Sequence, residues 1–285
     1  MKKNILLFVS VVIVLSMVSC KRDGISKKDE NEFNIAKTIE DYVIKYNTPR
    51  DGEISIIQQR YNYGSQKGIS EIVIGGVMNV NRNPTKTFNA GKIRIDGLEL
   101  PFADPSNTGG GYGIMYNNSS GDIQRKISGL FGKKVKFSIE SNNPFRIDES
   151  LNNEFYVPMP IDMEAEFNSR RFVSKSEDQT ITWDVDPNNP IDEIYLIGVY
   201  ESIASNNVNP SFPDITEIVI SKELPDNGLY ILPKSELSTD KLPTGSKITF
   251  YLARANYQLV TNSFGTEVLL SSVTYSDSGI LEVKQ

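Results

Sequence analysis

From Asp51 onward apolar residues recur at every second position in run after run, and this pattern constrains the fold more than any other feature of the chain. Val135, Phe137 and Ile139 alternate with Lys134, Lys136 and Ser138. Successive strand residues point to opposite faces, so such a run reads as a strand with one face in a core and one in water. Turn residues punctuate the runs. Ile93 and Ile95 alternate with charged residues and are followed by Asp96-Gly97. A two-residue hairpin turn needs positive φ at both central positions, which Asp-Gly supplies. In Glu71 to Val80 the pair Gly75-Gly76 interrupts a β-branched strand, which marks a bulge or a close approach of backbone. Ile123, Ile127 and Leu130 have helical spacing ahead of Gly132, a helix stop. The first half therefore reads as a β-rich domain with one or two short helices. A further helix is expected over Phe33 to Tyr46, where Ile35, Ile39, Tyr42, Val43 and Tyr46 share one face and Asn34 can cap.

Pro158-Met159-Pro160 breaks the strand pattern and is the expected domain boundary. Beyond it Met163, Ala165 and Phe167 point one way and Asp162, Glu164 and Glu166 the other. Ile181, Trp183 and Val185 form the next run. Further strands are expected over 194–200, 215–220, 228–232, 247–253, 267–275 and 280–283. About seven or eight strands in about 125 residues suggest an immunoglobulin-like β-sandwich with Trp183 in its core. With a single cysteine no disulfide can brace it, so packing must suffice.

The first residues follow a different logic. Lys2 and Lys3 precede an uncharged stretch from Ile5 to Ser19, the pattern of a secretory signal. It is too short for a comfortable membrane span of about 20 apolar residues. It ends in Met17-Val18-Ser19-Cys20, which resembles the lipobox of bacterial lipoproteins, with Met17 where leucine is usual. The resemblance implies cleavage before Cys20 and a diacylglycerol thioether on its sulfur. Two or three acyl chains would hold the chain on a bilayer, whereas one gives only marginal binding. Cys20 is the only cysteine, and lipidation leaves no free thiol to explain. The charged stretch Lys21 to Glu32 is too polar to bury surface and reads as a tether. It also resembles the surface-export signals of Bacteroidota lipoproteins, although those are mostly acidic.

Charge and composition narrow the chemistry. Loss of Lys2 and Lys3 with the leader takes the formal charge from −6 to −8. An acidic chain does not favour nucleic acid. There is no histidine, so a Ser-His-Asp triad, a Cys-His pair and an HExxH zinc site are all excluded.

Several stretches together, AGKIRIDGLEL, FYVPMPI, TITWDVDPNNPIDEIYLIGVY, DNGLYILPKSEL and SKITFYLARAN, resemble uncharacterised two-domain cell-envelope lipoproteins of the Bacteroidota. The resemblance implies fold and address but no activity. The expected organisation is a signal peptide over 1–19, lipidated Cys20 and its tether over 20–32, a β-rich domain over 33–158, and an immunoglobulin-like sandwich over 159–285.

Three clusters could carry chemistry. Asp184, Asp186, Asn188 and Asp192 begin like a calcium loop, but Asn189 and Tyr195 stand where the turn glycine and bidentate glutamate belong, so a turn is the simpler reading. Asp162, Glu164 and Glu166 could place two carboxylates at an inverting-glycosidase separation, but a solvated strand face also explains them. Gly109 to Gly113 lacks the Lys-Ser/Thr of a phosphate loop. Tyr112, Tyr116, Tyr61 and Tyr63 could be aromatic platforms or core residues. No cofactor, metal or catalytic residue is expected. The expected function is a non-enzymatic binding module on the envelope, anchored through Cys20, with a protein or glycan partner and no nucleic acid. The outer membrane is favoured, on either face. The alternatives are a carboxylate-based carbohydrate-active hydrolase and a structural spacer.

Overall fold

The computed structural model describes Ile39 and residues 49–63, 66–104, 110–141, 144–148, 153–202 and 215–285. Cys20, its leader and its tether lie outside the described residues, as does the expected helix over 33–46 apart from Ile39. The chain is mainly β with few short helices, as the period-two runs require. No helix among the described residues is long and apolar enough to cross a membrane.

The first half runs through β1 (Gly52–Tyr63), β2 (Gln66–Val80), β3 (Asn83–Thr87), β4 (Lys92–Ile95), β5 (Leu98–Leu100), β6 (Phe102–Ala103) and β7 (Gly111–Met115). Helix α1 (Gly121–Ser128), β8 (Lys133–Glu140) and β9 (Glu154–Val157) follow. Strands β5-β4-β8-β9 form one layer, with Val135, Phe137 and Ile139 all buried as expected. That layer packs on Ile54, Ile56, Ile72 and Ile74 of β1 and β2. The Asp96-Gly97 turn has φ of 49° and 75°, and Ile95 pairs with Leu98 across it. Gly76 is a close approach rather than a bulge. A Cβ there would stand 2.1 Å from Glu53 O and 2.9 Å from Ile54 Cα.

The second half contains β10 (Glu164–Ala165), α2 (Glu166–Arg170), β11 (Phe172–Ser174), β12 (Gln179–Thr182), β13 (Glu193–Ser202), β14 (Ile215–Pro225) and β15 (Leu229–Leu232). Helix α3 (Lys234–Leu237), β16 (Lys247–Thr261), β17 (Glu267–Asp277) and β18 (Leu281–Lys284) complete it. The three-stranded layer β10-β12-β15 covers β13, β14, β16 and β18 around a core that includes Trp183, Ile181, Leu196, Phe250 and Leu252.

One sheet joins the two halves. Its order across the middle is β14-β13-β16-β17-β1-β2-β7-β6. Strand β1 lies parallel to β17, with Gly52 beside Val268 and Arg60 beside Ser276. The β16-β17 hairpin pairs from Thr261/Glu267 to Tyr251/Asp277 and serves both cores. Val260, Val268 and Leu270 belong to the cluster of the first half, while Ile248, Phe250 and Leu252 belong to the second. Between these ends the same face carries Arg254 and Asn256 on β16 and Ser272, Thr274 and Ser276 on β17, all buried. Both covering layers therefore sit on one face of the shared sheet, separated by a polar band.

Candidate functional site

The segment linking β9 to β10 crosses that polar band and is fastened along its length. Asn256 Nδ2 donates to Tyr156 O at 2.6 Å, and Met163 N donates to Ser276 Oγ at 3.2 Å. Met159 O accepts from Thr274 Oγ1 and from Arg254 Nη1, both at 3.0 Å.

Arg254 is the hub. Its Nε and Nη2 grip Asp226 Oδ2 and Oδ1 at 2.7 and 2.9 Å, and Nη2 also donates to Asp184 O at 2.7 Å. Both charged side chains are fully buried. Asp226 Oδ1 also accepts the Trp183 indole N–H at 2.8 Å. Alongside, Asp186 is buried and accepts from Tyr156 Oη and from Met159 N, both at 2.7 Å. Burial first, and then the bond to the Asp186 carboxylate, hold the Tyr156 hydroxyl well above the ordinary tyrosine range. A buried ion pair rarely adds net stability over an apolar pair, but it dictates one geometry because any other leaves a charge unpaired. Here it ties Met159, the adjacent Trp183 and Asp184, and Asp226 together from three separate stretches of chain.

What that scaffold presents is apolar. Met159 (38 % exposed), Val185 (41 %), Leu229 (51 %) and Ile231 (53 %) are four of the large hydrophobic residues left exposed. Val185 lies against the turn that leads into β15. Arg254 draws the carbonyls of Met159 and Asp184 to a single guanidinium, and a Cβ on Gly228 would lie 3.1 Å from Val185 Cγ2. Leu229 and Ile231 stand on the outer face of β15, which is an edge strand among the described residues. Trp183 N bonds Gly228 O, which sets the pleat so that Leu229 and Ile231 turn main-chain groups toward the open edge. Exposed Glu164 lies in the same cross-strand row, since it pairs with Thr182 and Thr182 pairs with Leu229.

The other candidates are dispersed or occupied. The expected calcium loop points its one buried carboxylate, Asp186, at Tyr156 and Met159, while Asp184 and Asp192 are exposed. Among the described residues no group of three or more Asp, Glu, Cys or His is placed to hold a metal. The run through Val185 differs from expectation, because β12 ends at Thr182 and the chain turns down onto Arg254, leaving Val185 outside. The acidic row is not one strand either. Only Glu164 and Ala165 are in β10, and Glu166 opens α2, where it pairs with Arg170. Asp162 faces Arg60 at 3.4 Å. Of the expected aromatic platforms, Tyr112 is buried in the first core. Its hydroxyl accepts from Ala90 N at 2.8 Å and lies 2.9 Å from Gly91 O. Tyr116 is half-buried against the same core, and the side chains of Tyr61 and Tyr63 lie outside those described.

Arg254, Asp226 and the β15 pair were not singled out from the sequence. A signal exists for each. Arg254 alternates in step with Phe250 and Leu252, an inward position, and LYIL at 229–232 is apolar on both faces of its strand. No known family model matches the chain, and no curated protein matches it.

Proposed function

We propose that this protein is a lipid-anchored binding module of the bacterial cell envelope, tethered through Cys20 and engaging a protein partner at the junction of its two halves. The observation that carries the binding half of this reading is the exposed apolar pair Leu229 and Ile231 on edge strand β15, next to a junction locked by Arg254 and Asp226. An apolar cluster on a rigid frame with an open strand edge beside it suits a protein surface or an extended segment. Of the expected aromatic platforms for a glycan, Tyr112 is buried in the first core. The lipobox-like Met17-Val18-Ser19-Cys20 and the charged tether support an envelope address, with the outer membrane favoured. The test is crosslinking in intact cells, followed by purification of the wild type and of the Leu229→Lys/Ile231→Lys variant. A defined partner retained by the wild type and lost by the variant supports the reading. Equal retention by both removes the patch from it.

A structural spacer is the second reading, and one observation favours it. The β16-β17 hairpin runs unbroken through both halves, so the body is stiff along its length. Under that reading the double variant above behaves as the wild type in cells.

A further inference from the structure

One end of the shared sheet holds an aromatic ring out in water. Asn262 to Thr266 form the tip of the β16-β17 hairpin, beyond its last pair Thr261/Glu267. Phe264 on this tip is 71 % exposed, more than any other large hydrophobic side chain among the described residues. The tip that carries it is tightly fastened. Asn262 Oδ1 accepts from Phe264 N and Thr266 N, both at 2.9 Å. Asn262 Nδ2 donates to Pro144 O at 2.6 Å and to Arg146 O at 3.0 Å, and Thr266 Oγ1 donates to Pro144 O at 2.7 Å. From the turn after β2, Arg82 Nη2 donates to Gly265 O at 3.3 Å. That turn brings up a second exposed apolar residue. Asn79 N donates to Asp51 O and Asp51 N to Glu267 O, so Val80 stands at the level of the hairpin tip, two strands away.

We infer that this end of the molecule rests on a phospholipid bilayer, with the Phe264 ring entering the boundary between headgroups and acyl chains. A lone exposed ring needs no explanation. This one is held rigidly and stands among outward-facing cations. The Arg82 side chain (42 % exposed) lies further out than its partners Asp51 (14 %) and Glu267 (30 %). Arg146 (63 %) likewise lies outside Asp148 (42 %). The guanidiniums are thus the outermost charges of their pairs, and their planar forks suit phosphate oxygens. A bilayer accepts one protruding ring because lipids close around it. A stable protein interface needs about 1,000 Å² of complementary surface, which a narrow tip flanked by charge does not offer.

The inference rests on the lipid anchor proposed above, and the chain is long enough for both contacts. Ile39 is buried in a cluster with Ala255 of β16. The tip at Asn262 is about 24 Å further along that strand. Cys20 precedes Ile39 by an extended reach of about 65 Å at most, so its lipids can lie in the bilayer that the tip touches. Contact there leaves the binding surface clear of the membrane. Asp184 and Asp226, on the segments before and after which β12 and β15 pair, both meet Arg254. Arg254 is about 27 Å back from Asn262 along β16, so Leu229 and Ile231 stand well beyond the lipid headgroups.

Fluorescence tests this contact, because Trp183 is the only tryptophan and is buried in the second half. Full-length wild type, Phe264→Trp and Ile231→Trp are purified from membranes in detergent. Each is reconstituted into vesicles of phosphatidylethanolamine and phosphatidylglycerol with plain or brominated acyl chains. The emission that Phe264→Trp adds to the wild type should fall roughly twofold in brominated vesicles, as for a ring about 5–10 Å deep. The emission added by Ile231→Trp should be the same in both. The mass of the N-terminal peptide from the same preparations reads the anchor separately. Lipid on Cys20 with an unquenched tip overturns this inference and leaves the anchor standing. Equal quenching in the two variants also overturns it, because the body then lies flat on the membrane. A peptide without lipid overturns the anchor, and this inference with it.

Discussion

Arg254 and Asp226 meet in a two-pronged ion pair with no exposed surface on either side chain, and the same guanidinium holds the carbonyls of Met159 and Asp184. Arg254 thereby spends four hydrogen bonds on three different stretches of chain. Replacing it with Met leaves Asp226 buried and unpaired, which costs about 3–5 kcal/mol. The double variant Arg254→Met/Asp226→Leu removes both charges and should recover part of that loss. Urea unfolding checks both. A single-variant loss under about 1 kcal/mol would mean that the pair is hydrated in solution.

Tyr156 makes the same junction sensitive to alkali. Its hydroxyl is held above the ordinary value of 10.0, chiefly by burial and then by Asp186, and burial pushes Tyr195 up to about 12. The sign follows from proton binding. Below pH 10 both groups are protonated in the folded and the unfolded chain, so they add no slope. Above it the unfolded chain loses its protons first, and stability falls by about 1.4 kcal/mol per pH unit for each such tyrosine. The loss for Tyr195 is complete near pH 12, and Tyr156 extends it higher. Tyr156→Phe should therefore be less stable at pH 8, by about 1.5–3 kcal/mol for a bond to a charged group. It should also show a shallower fall between pH 10 and 11. Thermal melts at several pH values read both, and equal slopes in the two proteins would show that Tyr156 is solvated.

Two glycines should respond differently to the same change. At Gly97 a Cβ meets nothing within 4 Å, so Gly97→Ala is opposed only by the positive φ and should cost about 1–2 kcal/mol. At Gly76 a Cβ would run into the backbone of β1, and Gly76→Ala should cost more than about 3 kcal/mol or prevent folding. Denaturant midpoints of the two variants decide this, and similar losses would contradict the close pairing of β1 and β2.

These contrasts show which parts of the fold were legible in the sequence. The Asp96-Gly97 turn and the inward side of β8 are decided by residues within a few positions of one another, and the structure has both, whereas at Gly76 the sequence leaves a bulge or a close approach open and the pairing with Ile54 of β1 decides for the second. The junction is decided by distant partners. Asp226 sits in a stretch of turn residues that reads as solvated, and only the fold brings Arg254 against it from 28 positions away. Likewise nothing local tells β1 to lie beside β17, 216 positions on, because parallel neighbours need no turn between them. Val185 was expected inside on the strength of alternation, and it lies outside because Arg254 pulls the preceding carbonyl out of the strand.

The envelope address underlies every functional statement here, and the mass of the N-terminal peptide tests it most directly. The protein is purified from the membranes of the producing bacterium, digested, and its N-terminal peptide is weighed beside that of Cys20→Ser. The account predicts a wild-type peptide that begins at Cys20 and carries several hundred daltons of lipid, roughly the mass of two or three acyl chains. The variant should lack that mass and keep its leader. A wild-type peptide with an unmodified Cys20, or a mature N-terminus at any other residue, would contradict the account.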